Sequence, residues 1–66
     1  MSVGDFIENY CYDGAQVLIT GVGADADEYF EGQYGRDDIP DNLLESTLRY
    51  VFARESMLVL ECDTND

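Results

Sequence analysis

Few residues in this chain are of types that do chemistry, and the spacing of most of them argues against the chemistry they spell. Gly21-Val22-Gly23-Ala24-Asp25-Ala26 reproduces the GxGxxA spelling that receives a dinucleotide pyrophosphate. In that role Asp25 would set a carboxylate against the phosphates, and no long helix follows to complete a strand–helix–strand unit. Asp25, Asp27 and Tyr29 begin like a calcium loop, but position six is Phe30 where glycine is needed and position twelve is Arg36 in place of a bidentate Glu. Only loose divalent binding stays open there. The carboxylate pairs Asp25/Asp27 and Asp37/Asp38 suit a catalytic metal in principle, yet the chain contains no His and no Lys to serve as acid or base partners. Neighbouring carboxylates at turns read first as capping groups in water. The expectation is a protein that is not an enzyme and carries no cofactor and no metal. Cys11 and Cys62 lie near opposite ends and form neither a zinc ligand set nor a disulfide-rich framework, so they read as buried free thiols, with a disulfide between them as the weaker alternative.

The composition sets the frame for these residues. The chain has 66 residues, with 15 Asp and Glu against 3 Arg and Lys, for a formal charge of -12. One small domain is expected over residues 1–62, followed by a frayed acidic tail at 63–66. Folding at this length hides only about 60% of the surface of the unfolded chain, which leaves a thin core and no room for a deep catalytic cleft. A hydrophobic content of 45%, with five Tyr and three Phe, is too high for a disordered acidic segment. No apolar run is long enough to span a bilayer, and residues 1–12 show no basic and apolar regions of a signal peptide, so a cytoplasmic location is expected. With Arg36, Arg49 and Arg54 as the only cations, direct contact with nucleic acid or with anionic lipid is disfavoured. The same field speeds encounter with a basic partner, or simply keeps the protein soluble.

The elements that must position these groups are readable from periodicity. Ser2 and Asp5 resemble a capping box, and Val3, Phe6, Ile7 and Tyr10 follow at helical spacing, which predicts a helix over 3–11 ended by Asp13-Gly14. Residues 15–22 and 28–34 read as two strands forming an antiparallel hairpin, with Val17 and Ile19 on one face of the first. On the second, Phe30, Gly32 and Tyr34 oppose Tyr29, Glu31 and Gln33. Pro40 at a first helical position and Asp41 at the positive helix end predict a short helix over 40–46 that buries Leu43 and Leu44. Residues 47–53 and 57–62 form a second hairpin. The fold class expected is α+β in two layers: a four-stranded antiparallel sheet with one main and one short helix, in the order α-β-β-α-β-β. A sheet covered by one helix would leave Val51, Leu58 or Leu60 poorly hidden, so a homodimer is expected at micromolar concentration.

Eight of the fifteen acids fall between Asp25 and Glu45, beside a single Arg. The same stretch carries Tyr29, Phe30 and Tyr34, and aromatics next to carboxylates suit an interface. The expected partner-binding residues are Asp25, Asp27, Glu28, Tyr29, Glu31, Tyr34, Asp37, Asp38 and Asp41. The competing reading is that the acids are solvated and the tyrosines only cover an open sheet face.

The succession VGDFIENY, AQVLITG, YFEG, DDIPDNLLESTLRYVF and SMLVLEC resembles that of very short acidic proteins carried by phages and mobile elements of Firmicutes, and it covers nearly the whole chain. Proteins of this kind include anti-CRISPR inhibitors, some of which imitate DNA with carboxylates. The resemblance implies an inhibitor or decoy acting in a bacterial host cell on a basic nucleic-acid-binding protein such as a CRISPR effector nuclease, whose channel is positively charged. The alternatives are an acidic interaction module, antitoxin-like or a phage accessory protein, and an oligomer whose charge serves solubility without mimicry.

Overall fold

The computed structural model describes residues 1–23 and 25–63. Six elements follow in order: α1 (Val3–Tyr10), β1 (Gln16–Thr20), β2 (Glu28–Gln33), α2 (Asp41–Leu44), β3 (Thr47–Arg54) and β4 (Met57–Asp63). The chain is an α+β protein with a four-stranded sheet and two helices. α1 starts where the sequence places it, because the Ser2 hydroxyl accepts the Asp5 N–H at 3.0 Å and satisfies one of the free donors of the first turn. It ends at Tyr10, with Cys11 already extended at φ -102 while its N–H still bonds the Ile7 carbonyl. Gly14, at φ 93, therefore turns the chain into β1 three residues later and does not cap the helix. α2 is a single turn, shorter than expected. Pro40 precedes it as the N-cap, with no side-chain capping bond.

The sheet order is β2-β1-β4-β3. Both expected hairpins form, β1 with β2 and β3 with β4, each antiparallel. The hairpins then join through β1 and β4, which run parallel. The sheet is thus mixed, which corrects the expectation of a wholly antiparallel one. The reason is burial: Val17, Leu18 and Ile19 of β1 and Val59 and Leu60 of β4 are hidden on both faces, which requires the two strands to be central neighbours. The connection through α2 carries the chain from one edge, β2, to the other edge, β3, and the β3–β4 turn returns β4 beside β1 in the same direction.

Both helices lie on one side of the sheet. Val3 and Ile7 of α1 and Leu43 of α2 meet Ile19, Leu60 and Cys62 in one buried cluster, with Phe30, Leu48 and Leu58 packed against it. Leu60 is fully buried and Leu58 half-buried, so of the three positions expected to lie bare only Val51 does. Exposed large apolar side chains include Tyr10 at the end of α1, Tyr12 just after it, and three consecutive residues of β3, with Tyr50 at 56% and Phe52 at 43%. Asp63 is the last residue of β4, paired with Thr47 and 3.5 Å from Arg49, and so is no part of a tail. The rest of the expected tail, 64–66, lies outside the described residues. Among the described residues no helix is long and apolar enough to cross a membrane.

Candidate functional site

The expected site residues all sit on or beside β2, and a single backbone irregularity divides them. The β1–β2 register slips between Ile19, opposite Phe30, and Thr20, opposite Glu28, so Tyr29 is an extra residue in the ladder. Without that bulge Glu28 and Glu31 would point to opposite faces of the sheet. With it they oppose Thr20 and Leu18, two residues that share a face, and both carboxylates stand on the face turned away from the helices.

The registers on all four strands build this open face into three levels. On the first, Glu28, Thr20, Glu61 and Tyr50 lie side by side across β2, β1, β4 and β3. On the second come Glu31, Leu18, Val59 and Phe52. The third pairs Gln33 with Gln16 on one side and Met57 with Arg54 on the other. Neighbouring strands are about 4.8 Å apart and successive levels about 6.7 Å. Leu18 and Val59 are 2% and 1% exposed although no helix lies over them, and Gly23 and Ala26 of the β1–β2 loop reach a recess that Val59 borders. Thr20, Glu28, Phe52, Arg54, Val59 and Glu61 border the same recess of about 330 Å³ on this face. The result is a face with Glu28 and Glu31 along its β2 edge, Leu18 and Val59 at its centre, Glu61 beside Tyr50 at one end, and Tyr50, Phe52 and Arg54 along its β3 edge.

The remaining expected residues fall into two other groups. Asp25 and Asp27 are exposed in the β1–β2 loop and share a recess of about 470 Å³ with Tyr29, Arg49, Cys62 and Asp63, at one end of the sheet. A methyl group added to Gly21 would lie 2.9 Å from the Tyr29 hydroxyl, which shows that this ring folds back on its own loop. At the other end of β2, Asp37 and Asp38 are exposed in the turn toward α2, and Asp41 opens that helix. The Asp37 carboxylate accepts the Gln33 N–H at 2.9 Å and lies over Gly32, where an added Cβ would stand 2.7 Å from its oxygen. Asp37 is thus engaged in closing the β2 edge. Tyr34 packs against the core cluster and is half-buried.

The structure therefore brings Glu28 and Glu31 together and does not bring Asp25, Asp27, Asp37, Asp38 and Asp41 to the same surface. Sequence reading missed Glu61, Tyr50 and Phe52. Alternation along β3 and β4 groups Tyr50 with Phe52, but only the parallel β1–β4 pairing sets Glu61 next to Thr20 and so in Glu28's row. The two thiols are unpaired. Burial pushes both above their ordinary range; for Cys62 a hydrogen bond with Ser46 opposes this and the Asp63 charge adds to it. Among the described residues no three His, Cys, Asp or Glu side chains gather to hold a metal ion. Compared with protein-family models, curated proteins and solved structures, the chain matches none.

Proposed function

We propose that the protein is a non-enzymatic acidic inhibitor or decoy that lays its open sheet face, with the adjoining β2 edge, against the basic nucleic-acid-binding site of another protein. The observation that supports it is the set of Glu28, Glu31 and Glu61, held on one sheet face by backbone register together with the exposed rings of Tyr50 and Phe52. Carboxylates on a rigid sheet are set out in advance of binding, so little side-chain and backbone ordering is lost when Arg and Lys groups meet them. A nuclease that grips a nucleic-acid heteroduplex in a positively charged channel, as CRISPR effectors do, offers a surface of that sign. On this reading the protein works in the bacterial cytoplasm, and the carboxylates replace phosphates as a DNA mimic does.

The aromatic side of the same face supports a second reading, an interaction module with a basic protein target that binds no nucleic acid, as an antitoxin or phage accessory protein would. Capture from a bacterial lysate, followed by titration with duplex DNA as competitor, separates the two. The mimic reading expects a nucleic-acid-binding partner released by salt and displaced by duplex. It also expects Glu28→Gln, Glu31→Gln and Glu61→Gln combined to weaken binding by about tenfold or more, because two exposed charges and one half-buried charge leave without a change of shape. Binding unaffected by salt, by duplex and by the triple substitution would remove mimicry.

A further inference from the structure

We propose that two copies of this chain join through the free edges of their β3 strands, antiparallel about a twofold axis at Phe52, to form one continuous eight-stranded sheet. The two edges of the monomer's sheet are built differently. The β2 edge is blunted by the Tyr29 bulge, by Gly32, by the charges of Glu28 and Glu31 and by Asp37, whose carboxylate already takes the Gln33 N–H. These are the devices by which edge strands avoid pairing. β3 is the opposite case: eight residues, without Pro or Gly, with Tyr50, Val51 and Phe52 exposed in succession. Among the described residues its outer edge is covered only at the start, where Ser2 bridges Thr47 and the Leu48 N–H bonds the Met1 carbonyl at 2.9 Å.

Which groups face outward follows from the ladder. A two-residue turn, Glu55-Ser56, joins β3 to β4 and makes Arg54 and Met57 its closing hydrogen-bonded pair. Alternation then directs the backbone N–H and C=O of Phe52 to β4, and those of Ala53 and Val51 to the free edge. The outward Leu48 N–H has the same sense once the bulge at Arg49 is passed. A twofold axis at Phe52 sets Val51 against Ala53 of the second copy and Ala53 against its Val51, which closes four backbone hydrogen bonds.

The side chains suit that register. The two Phe52 rings become a close cross-strand pair on the open face, and Tyr50 lies across from Arg54 of the second copy, where a guanidinium can rest on the ring. Arg49 falls opposite the second copy's Glu55. Charge selects this edge as well. β3 holds two of the three arginines and no acid, so it is the one element with net positive charge in a chain of -12. Two such chains meet there with their acidic β2 edges at the far ends and both open faces on the same side. A joint made by strand pairing and apolar contact between two strongly negative molecules gains from screening and should tighten with salt. Pairing of β3 to the acidic β2 edge of another copy would instead give open chains that salt loosens.

Sedimentation equilibrium from micromolar to millimolar protein, with amide hydrogen exchange on the same samples, tests this. The expected results are a species of twice 7.4 kDa, more abundant in moderate salt, and slow exchange at Val51 and Ala53 that appears with concentration. Ala53→Pro removes an outward donor and no β3–β4 bond, as proline does at an edge strand, and should raise the dissociation constant at least about tenfold while the monomer keeps its circular dichroism. A 7.4 kDa species at every concentration, a dimer whose Val51 and Ala53 amides stay unprotected, or chains that dissociate in salt would each overturn the proposal. The exchange arm reads the wild-type protein and so decides the matter even if the proline variant unfolds. The outcome is independent of whether the open face binds a basic partner.

Discussion

Asp37 and Tyr34 show how little residue type says about a role until a partner atom is known. Both stand in the most acidic stretch of the chain, yet one closes a strand edge at Gln33 and the other packs against the core. The cysteines make the same point in the other direction, since their burial has a consequence for stability. In the unfolded chain a thiol ionises near about pH 8.5. The folded chain, with both thiols pushed higher by burial, holds its protons beyond that point. Above this pH the native state binds more protons than the unfolded state, so stability present at neutral pH is lost as pH rises. Urea unfolding should show a midpoint that falls between about pH 8 and pH 9.5, and Cys11→Ala combined with Cys62→Ala should flatten the decline. An equally steep decline in that variant would clear the thiols.

Among the elements, α1 depends most on one side chain. It has eight residues, too few for an isolated helix to persist in water, and it buries Val3 and Ile7 against the sheet. The Ser2 hydroxyl caps its N-terminus, and the same residue ties the start of β3 through its bridge to Thr47. Ser2→Ala keeps the backbone bridge and removes the cap alone, at an expected cost of about 1 kcal/mol. Chemical denaturation reads this directly, and a loss below about 0.3 kcal/mol would show that packing, not capping, fixes the start of the helix. β2 makes the complementary case: its bulge contributes nothing to the core and yet decides which carboxylates share a face.

At the scale of the whole molecule the charge dominates. Fifteen acids stand against three arginines, and the Arg49–Asp63 pair, at 3.5 Å with both side chains about half exposed, belongs to the class of surface pairs that contribute little. Repulsion among the remaining carboxylates acts over distances comparable to the Debye length, about 10 Å in 0.1 M salt. The molecule itself measures 27 × 24 × 17 Å, so few acids are beyond one another's reach in dilute buffer, where the Debye length is about 30 Å, while many are in moderate salt. Moving from dilute buffer to moderate salt should therefore raise the melting temperature. An unchanged value in a monomeric sample would show that the acids are spaced well enough not to strain the fold.

Periodicity and punctuation in the chain were sufficient for the kind and order of the elements. Apolar spacing after Ser2 defines α1, alternation defines the strands, and the short Glu55-Ser56 link defines the second hairpin, because each rests on contacts between residues close in sequence. The apolar run from Met57 to Cys62 was legible in the same way as a strand, but the burial of Leu60, expected to lie poorly hidden, was not. Nor was the strand's partner. That β4 lies parallel to β1, and that the sheet is mixed, depends on which two strands can hide both their faces, a competition settled by all four strands together. The acidic, aromatic surface followed the same division. Sequence alone established that carboxylates and rings must share a small exterior. The one-residue bulge at Tyr29 and the β1–β4 register decided that Glu28, Glu31 and Glu61, with Tyr50 and Phe52, are the ones that do. A shift of one residue reverses the face of every side chain beyond it, and only pairing between distant strands fixes that register.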